Sequence, residues 1–289
     1  MSSRRKILTV FGTRPEAIKL FPLVHALAAD KRFDSRVCIS AQHREMLDQV
    51  LEIAGIVPDH DLDLMTPGQT LDALTARALV EIGKVLDAER PDWVVVQGDT
   101  TTVMAGAIAA YYRKIPVCHV EAGLRSGDIH HPWPEEVNRR VVGSFAALHC
   151  APTQTARDAL LRENVAEASV HVTGNTVIDA LRWVTQRVSE QPALAAGLAE
   201  LEARFAGKRI IGMTSHRREN FGEGMENIAA AVQRLAARDD VAIIFPVHLN
   251  PNVRAVMNAR LAGLDNVALI EPLDYPHFAR LLDISHLML

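Results

Sequence analysis

The sequence predicts an α/β fold of parallel, doubly wound sheets arranged in two successive units. Short β-rich runs alternate with helical patterns along most of the chain, the mark of strand–helix–strand crossovers. Two of those runs, 94–96 and 116–120, are apolar with almost no alternation, as strands buried on both faces should be. The alternation pauses over 176–207, where two helical patterns hold no convincing strand, and starts afresh at 208. With 289 residues, 48% of them apolar, the protein has enough apolar surface to fill two cores. The expected division is a first domain over 1–175, a helical connector over 176–207 and a second domain over 208–289.

The first strand, 6–11, runs into Gly12-Thr13-Arg14-Pro15-Glu16. Thr13 and Glu16 have capping-box spacing, and Pro15 falls in the first helical turn, where its missing N–H costs nothing. The helix continues to about residue 29. Its glycine turn leaves backbone N–H groups aimed outward, a natural anion site to which Arg14 and Lys19 would add charge. The plainer alternative is a capped helix with ordinary surface cations. A second strand, 35–40, leads through Ala41-Gln42-His43-Arg44 into a helix ending near 53; 59–68 reads as a loop and 71–88 as a helix. The strand beginning at Trp93 precedes a helix over 103–112, whose Ala105-Gly106-Ala107 reads as close packing on the sheet. After the 116–120 strand come a helix over about 135–146, a strand at 148–151, a helix at 155–162 and a strand at 170–173. The second unit offers strands at 208–215, 241–247 and 266–270 and helices at 225–237, 251–261 and 275–282. An apolar strand then opens at 286 with no helix behind it, so the second unit is expected to be incomplete and the polypeptide truncated at its C-terminus.

The chemistry concentrates between 93 and 140. Asp99 lies just past the first buried strand and Glu121 just past the second, and open α/β sheets bind ligands outside the carboxyl ends of their strands. Glu135 and Glu136 follow a loop rich in Gly, Pro, His and Trp, close enough to fold back over that crevice. Acids converging beside Arg125, Arg139 and Arg140 point to proton chemistry on an anionic ligand. Plainer readings stand beside these. Asp99 can cap the next helix with residues 100–102, and Glu136 can be an exposed first-turn acid favoured by the helix dipole. His25 and His149 read as structural.

A net charge of −4 and the lack of any Lys/Arg-rich block argue against nucleic acid as a partner. The apolar run after MSSRRK is too short for a signal peptide, and no stretch approaches the length of a membrane span, which fits a cytoplasmic, soluble enzyme. Cys38, Cys118 and Cys150 lie in strand-like runs without paired spacing and read as buried free thiols. The histidines are scattered, and His130-His131 has no ligand partner at suitable spacing, so no metal is expected.

Eight stretches in fixed order carry a family resemblance: Phe11-Gly12-Thr13-Arg14-Pro15-Glu16-Ala17-Ile18-Lys19, Ala41-Gln42-His43-Arg44, Gly98-Asp99-Thr100-Thr101, His119-Val120-Glu121-Ala122-Gly123-Leu124-Arg125, Pro132-Trp133-Pro134-Glu135-Glu136, Thr173-Gly174-Asn175-Thr176, His216-Arg217-Arg218-Glu219 and Pro246-Val247-His248. Along nearly its whole length the sequence resembles the non-hydrolysing UDP-N-acetylglucosamine 2-epimerases. The resemblance implies the GT-B architecture, two Rossmann-like domains facing a cleft, with neither metal nor nicotinamide cofactor. It implies reversible conversion of UDP-GlcNAc to UDP-ManNAc for surface-polysaccharide synthesis, by anti elimination of UDP to 2-acetamidoglucal and re-addition. Asp99, Glu121 and Glu135 match the family's catalytic acids, and His216 matches a residue that contacts UDP and stabilises the leaving group. Arg14 and Lys19 match its N-terminal anion-contacting positions, with Arg139 and Arg217 as further substrate contacts. Some members bind a second, activating UDP-GlcNAc, and Gln42, His43, Gln69, Glu136 and His248 sit where that site would draw its ligands. Relatives are usually homodimers.

Three positions depart from the family pattern. Gln97 stands where a His is common before Gly-Asp-Thr, Ser215 where a small residue precedes His216, and His131 where a small polar residue precedes Pro132. Gln97 is expected to change local hydrogen bonding; none of the three removes a catalytic acid. The family also continues with a Ser-Gly-Gly segment and a Glu that hold uridine and ribose, then a last helix that returns to the first domain. If the polypeptide stops at Leu289, weak UDP affinity and little turnover are expected of it, while the extended protein is an epimerase. The alternatives are a weak or inactive UDP-sugar-binding fragment, or a GT-B glycosyltransferase with an acceptor pocket in place of the acids.

Overall fold

In the first unit every β-rich run lands in one parallel sheet. The computed structural model describes residues 4–41, 44–66, 68–214, 223–247 and 249–289. These cluster into two units, Met1–Ala180 and Leu181–Leu289. The first sheet comprises β1 (Arg5–Phe11), β2 (Phe33–Ile39), β3 (His60–Asp61), β4 (Trp93–Gln97), β5 (Val117–Val120), β6 (Leu148–Ala151) and β7 (Val170–Val172). Its order is β3-β2-β1-β4-β5-β6-β7. The polypeptide moves outward in one direction from β1 and in the other from β4, so the topological switch lies between β1 and β4.

The crossovers are α1 (Arg14–Ala29), α2 (Arg44–Ala54), α3 (Leu71–Glu89), α4 (Thr101–Tyr112), α5 (Glu135–Gly143) and α6 (Gln154–Arg162). Thr13 caps α1 with the full capping box to Glu16, as its spacing predicts. Thr100 caps α4 by accepting from the Val103 amide. Small side chains let α4 lie close on the sheet: a Cβ at Gly106 would touch Val10 Cγ1 at 3.4 Å. The core between α3, α4 and the sheet is filled by Leu8, Val10, Ile82, Leu86, Val94, Val96 and Val103. Residues 59–68, expected as loop, contain β3, which pairs Cys38 with His60. Two residues are too few to show a period.

The second unit has its own parallel sheet, β8 (Arg209–Gly212), β9 (Val241–Pro246), β10 (Val267–Ile270) and β11 (Leu287–Met288), in the order β10-β9-β8-β11. Alternate residues of β9 feed different cores. Ile243 and Phe245 pack with α9 (Glu223–Ala236) and α10 (Pro251–Leu261) through Met225, Val232 and Met257. Ala242 and Ile244 pack on the other side with Leu198 of α8 (Ala196–Arg204) and Leu281 of α11 (Tyr275–Ile284). The remaining helix, α7 (Thr176–Glu190), contains the division between the two units. Among the described residues no helix is long and apolar enough to cross a membrane.

Candidate active site

The β4–β5 register sets the first unit's carboxyl edge. Gln97 pairs with Val120, so the turns that follow the two strands start at the same level. The first turn bends at Gly98 with φ +80°, then presents Asp99 and the cap Thr100. In the second, Glu121 itself holds φ +62°, a left-handed backbone in which a non-glycine residue is uncommon and which often marks a functional turn. Gly123 follows at φ +88°, where the backbone of α6 passes so close that a Cβ would sit 2.2 Å from the Ala156 carbonyl oxygen.

Between these turns and the start of α1 lies a pocket of about 430 Å³, lined by Thr13, Pro15, Glu16, Lys19, Gln97, Gly98, Asp99, Thr100, Glu121, Leu124 and Arg139. Each of its two strand-end acids is joined to a cation. Lys19 Nζ lies 2.5 Å from Glu121 Oε2, and the Gln97 amide donates to the same oxygen. Arg139 Nη2 donates to Asp99 Oδ2, while Asn138 Nδ2 holds the Asp99 carbonyl at 2.8 Å.

Behind this layer, Glu136 is fully buried rather than an exposed first-turn acid. Its carboxylate accepts from the Ser126 amide at 3.1 Å, Arg139 at 3.2 Å and Arg140 at 3.0 Å. Burial would push this carboxyl up; the Ser126 amide and the two guanidiniums outweigh that and hold it below its usual range. His119 is also buried, with Nε2 at 2.7 Å from the Gly98 carbonyl oxygen, and burial pushes its imidazole down to about 4.

The glycine turn at α1 does not leave its amides free for an anion. Glu16 Oε2 accepts from the Gly12 amide at 3.0 Å and the Thr13 amide at 2.7 Å, and Glu16 Oε1 accepts from Thr100 at 2.8 Å. The capping-box carboxylate occupies those donors, so anion attraction at this edge rests on side chains. Burial pushes the Glu16 carboxyl above its usual range, against the pull of the hydrogen bonds from Thr13, Thr100 and Gly12.

Of the sequence-predicted residues, Asp99, Glu121, Lys19 and Arg139 meet in the pocket. Glu135 opens α5, half-buried and outside the lining, with Oε2 buried and, among the described residues, without a hydrogen-bond partner. Arg14 is half-buried at the start of α1, also outside the lining. Arg125 is paired with Glu163 at 2.8 and 2.7 Å. Gln69 folds onto its own loop, accepting from the Thr66 hydroxyl at 2.9 Å. Gln42, His43, His216, Arg217 and His248 lie outside the described residues. Sequence reasoning missed Asn138, although Glu135, Asn138 and Arg139 at i, i+3 and i+4 share one helical face.

Two doubly wound, parallel-stranded units, the first with an acid- and cation-lined pocket at its carboxyl edge, define a Rossmann-like α/β protein of the GT-B class. The family model described as UDP-N-acetylglucosamine 2-epimerase matches residues 25–289. The UDP-N-acetylglucosamine 2-epimerase of Yersinia pestis is 53% identical over 286 residues, which is 98% of this chain and 76% of that protein. The crystal structure of UDP-GlcNAc 2-epimerase from Neisseria meningitidis bound to UDP-GlcNAc matches with a TM-score of 0.83 at 44% identity, covering 98% of this protein and 76% of that one. UDP-GlcNAc 2-epimerase from Methanocaldococcus jannaschii matches with a TM-score of 0.87 at 33% identity, covering 98% and 77%. The protein belongs to the UDP-N-acetylglucosamine 2-epimerase family.

Proposed function

We propose that this protein interconverts UDP-GlcNAc and UDP-ManNAc, and that Asp99, Glu121 and Glu135 supply its proton-transfer groups. The observation that carries the reading is the pair of strand-end carboxylates, each tied to a cation, that share one pocket. The C2 proton of the sugar is weakly acidic, so its removal must be coupled to departure of the diphosphate. A placed carboxylate accepts that proton, and an acid on the opposite face returns one before UDP adds again. Lys19 and Arg139 are the pocket cations able to meet a diphosphate, and charge placed where the leaving group develops is a strong catalytic device. A diphosphate that draws them off Glu121 and Asp99 would uncover the carboxylates at the moment they are needed. His216 and Arg217, by family position, would complete the leaving-group contacts. UDP as the group that leaves and adds again, a second UDP-GlcNAc as effector, a homodimeric state and a cytoplasmic location belong to the same reading.

The test is incubation of the protein with UDP-GlcNAc in deuterated water. UDP-ManNAc carrying deuterium at C2 is the expected product. Asp99→Asn and Glu121→Gln should each lower turnover by about 10²–10⁴-fold, the usual contribution of a placed acid or base. A protein that forms no UDP-ManNAc and exchanges no C2 proton would sink the reading.

A further inference from the structure

Glu121 receives two donors on the same oxygen. Lys19 Nζ and Gln97 Nε2 both point at Oε2, and among the described residues Oε1 has no protein partner. The two donors differ in kind. Lys19 is a cation on a flexible stem that is one-quarter exposed, the group a diphosphate would draw away. Gln97 is a neutral amide, 2% exposed, on the last residue of β4, directly across the ladder from Val120. It has no charge to attract a diphosphate and no proton to lose, so its donor persists across the working pH range.

We propose that Gln97 is a positioning residue for the proposed epimerisation: its side-chain amide pins Glu121 Oε2, so that Oε1 faces the ligand after Lys19 has moved to the diphosphate. This inference rests on the epimerase reading of the pocket. Glu121 needs such a restraint because it combines a long side chain with a left-handed backbone one residue past the end of β5. Without the amide, the freed carboxylate would keep no fixed partner.

The experiment compares three variants of the protein. Gln97→Leu removes the donor; loss of a hydrogen bond to a charged group should lower kcat about 10- to 100-fold while KM for UDP-GlcNAc stays within about threefold. Gln97→His keeps a donor and should restore kcat to within about fivefold of wild type. Gln97→Glu keeps the shape but opposes Glu121 with like charge at neutral pH, and regains a donor when protonated. Its kcat deficit should therefore shrink as the pH falls toward about 5, where a carboxyl begins to hold its proton. The other titratable or charged groups around Gln97 are Glu16 and Lys19 of α1, Asp99 after β4, His119 and Glu121 at the end of β5, and Arg139 of α5. They are shared by all variants, so dividing by the wild-type profile removes them. If Gln97→Leu fails to fold, the Gln97→Glu profile carries the test alone. Turnover by Gln97→Leu within about twofold of wild type, a loss confined to KM, or a Gln97→Glu deficit independent of pH overturns the proposal. A wild-type protein without epimerisation or C2 exchange overturns the epimerase reading and this inference together; an active wild type matched by Gln97→Leu overturns the inference alone.

Discussion

Glu16 joins two loops with one carboxylate. Oε2 takes the Gly12 and Thr13 amides and Oε1 takes the Thr100 hydroxyl. A glutamine of the same shape can keep all three contacts, its carbonyl accepting the amides and its NH2 donating to the Thr100 oxygen. Glu16→Gln should therefore stay within about 1 kcal/mol of wild type at pH 7, whereas Glu16→Ala strands three polar groups and should cost about 2–4 kcal/mol in urea unfolding. Burial raises the folded carboxyl above its unfolded value. Ionisation of Glu16 thus weakens the fold as the pH climbs from the ordinary glutamate range through that raised value, and Glu16→Gln should lack this component. A Gln variant as unstable as the Ala variant would mean that the charge itself holds the loops. The sequence made half of this legible. Thr13 and Glu16 announce a capping box because both ends of the motif are local. The bond from Thr100 spans 84 residues, and no spacing rule reaches that far.

Elements were legible where burial is uniform and illegible where they are short. β4 and β5 stood out because strands covered on both faces lose their alternation, whereas the two residues of β3 gain their identity only by pairing with β2. The crowding of α6 on the Glu121 turn was invisible too, since it depends on a helix 33 residues downstream. It can be measured by comparing two glycines. Gly123 (φ +88°) and Gly127 (φ +84°) share a left-handed backbone, but a Cβ at Gly123 would meet Ala156 carbonyl atoms at 2.2 and 2.8 Å, while one at Gly127 meets nothing within 4 Å. Gly127→Ala should cost about 1 kcal/mol, the strain of a left-handed alanine. Gly123→Ala adds a clash with helix backbone, which moves only if α6 moves, and should cost about 2–4 kcal/mol by denaturant titration. Equal losses would show that backbone conformation alone, not the approach of α6, requires Gly123.

At the scale of the whole molecule, the buried titratable groups among the described residues are unevenly shared. Two units were readable from the renewed alternation at 208, but not that Glu16, His119, Glu136 and His149 would all be buried in the first. His119 and His149 pair across β5 and β6, and burial lowers both imidazoles, His119 to about 4. Between an unfolded value near 6.5 and that folded value, only the unfolded state takes the proton, so stability is complete above pH 6.5 and falls as the pH drops. For His119 alone the full loss is about 3 kcal/mol. Glu136, held low by its Ser126 amide and guanidinium partners, adds a loss of the same sign at lower pH, and Glu16 opposes them. In the second unit Asp240 is held low by Arg238 and Arg209 on the open surface, where solvent screens the pair. The first sheet should therefore open first in acid. Hydrogen exchange at pH 7 and about pH 4.5, corrected for intrinsic rates, should show β4–β6 losing more protection than β8–β10. His119→Gln, which keeps a donor for the Gly98 carbonyl and removes the titration, should narrow the difference. If the second sheet opens first, or if His119→Gln leaves the gap unchanged, burial of these imidazoles is not what limits the fold in acid.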